Sequence, residues 1–357
     1  MDYTPIPAAG LPPVRVNLYS DTQTKPTPAM KAAMMDAEVG DEQMGLDPTT
    51  NALQDRMAAL MGKQAALFLP SGTMCNQIAI ATHCRPGDEV LAHETAHILT
   101  SEGGGCAAIA GAQITGLKGA RGQYDAATLR AAIRAKNRNA PPQTLVEVEQ
   151  TANSGGGAVW SVERLNEIAA IAHENGMATH MDGARLMNAV VASGVAVADM
   201  VAGFDSLWLD FTKGLGTGVG AVLVGSREFI GTAWRWKQRM GGAMRQSGML
   251  AAGCLHALDH HIDRLAEDHA NAAGLVRGLA QVEGIVPEPA ETNLVFFSTE
   301  ATGLTAAAFA NAARQHGVAF STNGRYRVRA CLHLGVTAAD VETALQVSRQ
   351  VVASAPR

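Results

Sequence analysis

Lys213 stands at the end of a short apolar run, Leu207-Trp208-Leu209, carried on through Asp210-Phe211-Thr212, and is followed by glycines at 214, 216, 218 and 220. A second apolar run, Ala221 to Val224, closes at Gly225. Both runs have the length and the boundaries of buried strands, which puts the lysine at a strand end on a loop almost bare of side chains. A lysine in a desolvated pocket has its pKa lowered and becomes a nucleophilic amine, the requirement for a Schiff base. The glycines let a bulky ligand approach the backbone. A surface lysine in a glycine-rich turn would look the same locally, so the rest of the chain has to decide.

Other polar groups sit at comparable places. Ala65 to Pro70 reads as a strand running into Ser71-Gly72-Thr73 and a helix through His83. Such a helix start binds anions, although Ser and Thr also make plain N-caps. His97 and Glu102 follow the strand Glu89–His93. Leu145 to Glu149 runs into Thr151-Ala152-Asn153, and Met177 to Met181 ends on Asp182-Gly183-Ala184-Arg185. Ser161 caps an amphipathic helix with Val162, Leu165, Ile168, Ala169 and Ala172 on one face.

Strands thus alternate with helices from Ala65 to Val224, the pattern of an α/β protein with a mostly parallel sheet and helices on both faces. Ligands of such sheets gather at the carboxyl ends of the strands. Ser71, Thr73, Asn153, Asp182, Arg185 and Lys213 all belong at that edge. One long helical segment is expected from Arg245 to Val282. Beyond it come a strand at Asn293–Ser298, a helix at Thr305–Gln315, strands near Val318–Ser321 and Tyr326–Leu332, and a last helix from Thr337. Alternation puts Arg325, Arg327 and Arg329 on one strand face. The expected division is an arm at 1–16, a large domain at 17–245, and the linking helix with a smaller α+β domain at 246–357.

Composition excludes several classes. The 357 residues carry a net charge of -5 with no basic block, against nucleic acid as a partner. Five cysteines without a C-x-x-C pair argue against a disulfide framework or a zinc ribbon. No run is long enough to cross a bilayer, and the start lacks a signal-peptide pattern, so a cytoplasmic protein is expected. Gly216-x-Gly218-x-x-Ala221 precedes a strand, the wrong context for a dinucleotide fingerprint. His256 and His260 share a helix face, but spacing alone does not assure further ligands, and no metal is expected.

A lysine amine, a carboxylate on a neighbouring strand end and an anion-binding helix start together suit pyridoxal phosphate: Lys213 for the covalent link, Asp182 for the pyridinium nitrogen, the Ser71-Gly72-Thr73 turn for the phosphate, with His97 as a stacking partner. From Asn17 to about Leu334 the chain resembles the L-threonine aldolases, pyridoxal phosphate enzymes of the aspartate-aminotransferase-like fold. The resemblance rests on Leu18-Tyr19-Ser20-Asp21-Thr22, Asp47-Pro48-Thr49, Phe68 to Thr73, Asp182-Gly183-Ala184-Arg185, Lys213-Gly214-Leu215-Gly216 and Met244 to Gly248. It implies that Lys213, with Thr212 beside it, holds the cofactor, that Asp182 pairs with its ring nitrogen and His97 stacks on it, and that Gly72 and Thr73 hold its phosphate. It also implies that Arg245 reaches the phosphate in a neighbouring subunit's site, hence a homo-oligomer with shared sites, a dimer at least and a tetramer by expectation. Ser20, Arg185 and Arg329 would bind the substrate carboxylate, a group suited to guanidinium pairing.

One position departs from the family. Where it usually reads Glu-Asn-Thr-His-Asn, this chain has Glu149-Gln150-Thr151-Ala152-Asn153. The histidine near the substrate's β-hydroxyl is replaced by Ala152. His97 must then do more of the proton transfer, and the pocket is expected to gain an imidazole's volume, favouring an aryl β-substituent as in a phenylserine aldolase. The expected reaction is retro-aldol cleavage of an L-3-hydroxy amino acid to glycine and an aldehyde. The alternatives are β-elimination of water by the same cofactor and a non-catalytic protein that binds it.

Overall fold

The computed structural model describes residues 10–355, so the first nine residues of the expected arm lie outside the described residues. The described residues form two compact units, one of residues 24–266 and one of residues 10–23 with 267–355. The division falls inside the stretch expected as one helix from Arg245 to Val282. That stretch is two helices, Gly248–His260 and Leu265–Leu279. A tertiary contact marks the break. His261 leaves the helix and sets its Nδ1 2.7 Å from the carbonyl of Leu215, in the loop after Lys213.

The larger unit is built on seven strands: β1 (Ala65–Leu69), β2 (Glu89–His93), β3 (Gln113–Leu117), β4 (Gln143–Glu149), β5 (Ala178–Gly183), β6 (Ser206–Asp210) and β7 (Ala221–Gly225). Their order is β1-β7-β6-β5-β4-β2-β3, and only β7 runs antiparallel to its neighbours. The helices that matter for the site are α1 (Pro28–Met35), α2 (Pro48–Leu60), α3 (Gly72–His83) and α4, a single turn at His97–Thr100. The amphipathic helix expected after Ser161 is present at Val162–Glu174, with the Ser161 side chain accepting from the Arg164 N–H. Asp47 caps α2. A short helix at Ala126–Ala132 ends where Ile133 turns extended and Arg134 goes to the buried carboxylate of Glu89.

Strand alternation sorts the sheet into two unlike faces. Val146, Val148, Met181, Leu207, Leu209, Val222 and Val224 enter the main apolar core, together with residues of α2. The opposite face carries His180, Asp182, Ser206, Trp208 and Asp210, and is covered by α3, whose Asn76 bonds to three of these side chains. Burying such a polar face is costly unless its groups are hydrogen-bonded.

In the smaller unit β8 (Leu294–Ser298) pairs antiparallel with β9 (Arg327–Cys331). Val295, Phe297, Val328 and Ala330 point into a second core with Val16, Leu18 and Phe309. Among the described residues no helix is long and apolar enough to cross a membrane.

Candidate active site

The carboxyl ends of β1, β4, β5 and β6 lie along one edge of the sheet, and each delivers a polar residue singled out in the sequence. At the end of β6 the Lys213 amine lies 2.9 Å from Asp210 Oδ2 and 5.6 Å from the centre of the Trp208 ring. Asp210 Oδ1 accepts from both the N–H and the hydroxyl of Thr212, at 2.8 and 2.7 Å. The glycine loop therefore comes with an opposite charge at the amine, which the bareness of the loop did not announce. Gly216 and Gly220 take positive φ of 79° and 134°, the conformations that need glycine here.

At the end of β1, Ser71 caps α3 through its Oγ to the Met74 N–H. The first intrahelical N–H groups and the helix dipole face outward beside Ser71 and Thr73, which with Met74, Gln77, Ile109 and Met240 line a cavity of about 370 Å³. Gly72 is required by packing: a Cβ there would stand 2.1 Å from the Trp208 ring.

Asp182, at the end of β5, is buried. Its Oδ1 accepts from the Ala184 N–H at 3.0 Å and its Oδ2 from Asn76 at 2.8 Å. These two donors fix the orientation of the carboxylate. Arg185 follows, also buried, with Nη1 3.3 Å from Asn153 Oδ1 after β4. His97 opens α4 with its Nδ1 2.8 Å from Glu102 Oε1. That bond raises the imidazole pKa above its ordinary value against the opposing effect of burial. The His97 N–H donates to Glu149.

Asp182 belongs to a carboxylate cluster whose other members the motifs gave no role. Glu102, Glu147, Glu149 and Asp182 are all buried. Burial drives Glu147 well above the usual carboxylate range, and burial with the neighbouring Asp182 charge brings Glu149 up to about 7. The signal for them was present in the sequence as polar residues at period two within strands: Glu147-x-Glu149, His180-x-Asp182 and Ser206-x-Trp208-x-Asp210.

Arg245 lies 2.9 Å from Asp41 and its side chain is 61% exposed. Ser20 and Arg329 belong to the smaller unit. Ser20 Oγ bonds Thr22, and Arg329 bonds Ser321 Oγ and the Tyr19 carbonyl. Arg327 and Arg329 share the face of β9 opposite Val328 and Ala330, as expected, with Arg327 paired to Glu288; Arg325 lies before the strand, its guanidinium over the Tyr326 ring. The rings of His256 and His260 rest on one another, 4.4 Å between centres.

A family model described as beta-eliminating lyase matches residues 17–302. The chain is 39% identical over 344 residues to low-specificity L-threonine aldolase 1 of Arabidopsis thaliana, covering 94% of this chain and 96% of that protein. It is 41% identical to the low specificity L-threonine aldolase of Escherichia coli K12, covering 79% and 84%. The chain belongs to the L-threonine aldolase family. The threonine aldolase of Leishmania major has the same fold, with a TM-score of 0.82 at 22% identity over 94% of this chain and 99% of that one.

As a member of this family the protein is a pyridoxal-phosphate-dependent lyase. The residues present fit that cofactor. A buried carboxylate with donors on both oxygens suits a pyridinium nitrogen, a helix start suits a phosphate, and an amine lies just past the end of β6, the strand paired with Asp182's β5. The fold expected from the sequence, a mostly parallel sheet with helices on both faces, is the one observed.

Proposed function

We propose that the enzyme cleaves the Cα–Cβ bond of L-3-hydroxy amino acids to glycine and an aldehyde, with an aryl β-substituent preferred over the methyl of threonine. When bound, the cofactor supplies the electron sink for the broken bond. Lys213 is the amine that carries it, Asp182 holds the proton on its ring nitrogen, and Ser71, Gly72 and Thr73 hold its phosphate at the start of α3. Arg185 orients the substrate carboxylate, and Ser20 and Arg329 keep the carboxylate-binding role implied by the resemblance. Because His97 Nδ1 is engaged by Glu102, its Nε2 is the atom left to take the β-hydroxyl proton. Glu102 stabilises the imidazolium that results, as a carboxylate does for any histidine base it orients.

The observation behind the aryl preference is Ala152. It is fully buried, and its N–H donates to the Ala158 carbonyl at 3.0 Å. Gly122 packs on its methyl, so closely that a Cβ on Gly122 would stand 2.8 Å away. The space expected from the missing imidazole is thus partly taken up by this turn, and the wall consists of small residues. The test is kcat/KM for L-threo-phenylserine and for L-threonine, in the native protein and in Ala152→His. The proposal expects phenylserine to be favoured and the ratio to fall at least tenfold in the variant. A native preference for threonine, or an unchanged ratio, would remove the aryl assignment while leaving the aldolase.

The family model's description favours one second reading, β-elimination of water to ammonia and a 2-oxo acid. Ammonia in place of glycine would decide for it. Arg245 is proposed to serve a neighbouring copy's phosphate. Light scattering should then show an oligomer, and Arg245→Ala should weaken cofactor retention.

A further inference from the structure

Asn76 lies on α3, fully buried against the polar face of the sheet. Its amide makes four contacts. Nδ2 donates to Asp182 Oδ2 and to Glu102 Oε1, each at 2.8 Å. Oδ1 accepts from Trp208 Nε1 at 2.6 Å and lies 3.2 Å from His180 Nε2. An indole N–H only donates and an ionised carboxylate only accepts, so the amide has one orientation and all its capacity is used.

That orientation dictates the hydrogens further out. His180 Nε2 faces an oxygen that must accept, so it carries the proton. Burial holds this imidazole down at about 3, hence neutral, and its Nδ1 is an acceptor. Nδ1 lies 2.8 Å from Ser206 Oγ, which spends its one hydrogen there. Ser206 must then accept from His83 Nε2, 2.7 Å away. From His83 through Ser206, His180 and Asn76, every hydrogen points toward Asp182 and Glu102.

We propose that Asn76 is a positioning residue that holds both Asp182 and Glu102 as oriented carboxylates, and so couples the group facing the cofactor's ring nitrogen to the His97 imidazole through one side chain. The inference rests on the roles of Asp182 and His97 proposed above. Four carboxylates are buried together here, and Asn76 donates one N–H to each of two of them. Of the other two, Glu147 has no hydrogen-bond partner on either oxygen and burial pushes it well above the usual carboxylate range, while Glu149 faces Asp182 from β4 with the His97 and Asn153 N–H groups on its oxygens. Cys75, beside Asn76 on α3, is buried and held as the thiol by burial.

The test compares the native holoenzyme with Asn76→Leu and Asn76→Asp. Leucine keeps the bulk and removes both donors. Aspartate keeps the shape and sets a third carboxyl between two others, so the cluster must bind a further proton. Expected are a kcat lower by roughly 10- to 100-fold, the loss of a hydrogen bond to a charged group, with KM within about threefold. The pH profile of the bound cofactor's visible absorption should shift by at least about one unit. Nitrogen NMR of the apo protein's histidines should show His180 as the Nε2–H tautomer in the native chain. Variants that melt earlier but keep the native kcat and absorption profile would make Asn76 structural only and overturn the proposal, as would a native His180 protonated on Nδ1. If Asn76→Leu does not fold, Asn76→Asp carries the kinetic and optical comparison. A native protein that binds no cofactor would instead overturn the reading on which the proposal rests.

Discussion

Replacing Gly72 by alanine should damage both stability and cofactor binding, and the structure sets the size of the effect. The new Cβ would lie 2.1, 2.3 and 2.9 Å from three carbons of the Trp208 ring. Carbon atoms rest at about 3.5–4.0 Å, so ring and helix start must separate by roughly 1.4 Å. Trp208 is buried, and its Nε1 bonds Asn76 at 2.6 Å. A shift of that size would carry the bond beyond hydrogen-bonding range. Overpacking costs about 1–3 kcal/mol and the lost bond about 1 kcal/mol. Against this stands a helix-propensity gain of at most about 1 kcal/mol for alanine over glycine. The clash wins, with a net loss of about 2 kcal/mol. The displaced helix start should also weaken cofactor binding at least about tenfold, which corresponds to about 1.4 kcal/mol. Urea unfolding of the apo protein and cofactor titration measure the two effects. Trp208→Leu makes room, so the double variant should recover part of the loss, with a coupling of about 1 kcal/mol or more. Additive losses, or a Gly72→Ala protein with native stability and affinity, would refute the packing argument.

Lys213→Ala should abolish the visible absorption of the bound cofactor along with turnover; retention of both would overturn the assignment of the amine. Lys237 is fully buried and paired with Glu42, whose Oε2 has no other partner, so Lys237→Met should cost about 3–5 kcal/mol in urea unfolding. Adding Glu42→Leu should return most of that, and a double variant no better than the single would exclude an unpaired charge as the cause. His180 is held neutral by burial at about 3, below the 6.5 of an ordinary imidazole. A depressed pKa contributes stability above pH 6.5 that is lost as pH falls toward 3, about 1.4 kcal/mol per unit. Glu149, raised to about 7, works oppositely, since its contribution is present below pH 4.5 and is lost as pH rises through 7. The difference between native and His180→Gln isolates the first effect: from pH 7 to pH 5 the native protein should lose about 2 kcal/mol more than the variant.

Much of the site was legible in the chain because its strand ends are punctuated. Lys213, Asp182, Arg185 and Ser71 each follow a short apolar run, and a parallel sheet brings such ends to one edge whatever the helices between them do. The helix cap at Ser161 was equally local, since a capping oxygen and its N–H lie three residues apart. What stayed hidden was pairing across the sheet. Asp210 beside Lys213 could have been a turn residue. Glu102, well past the end of β2, became meaningful only when the chain after α4 brought it to His97 Nδ1. Asn76 reads as an ordinary polar helix residue, and its four partners lie 26 to 132 positions away.

The sequence alone therefore determined the alternation of strands and helices, the family, and the candidates for the amine, the ring partner and the phosphate turn, because these depend on residue type and short-range order. Only the tertiary structure decided which carboxylates are buried together, which way the hydrogens of the buried network point, where the helix after Gly248 breaks, and how far Gly122 closes on Ala152. Each of these depends on the distance between groups remote in the chain and on the water removed from around them. Spacing along a sequence encodes neither.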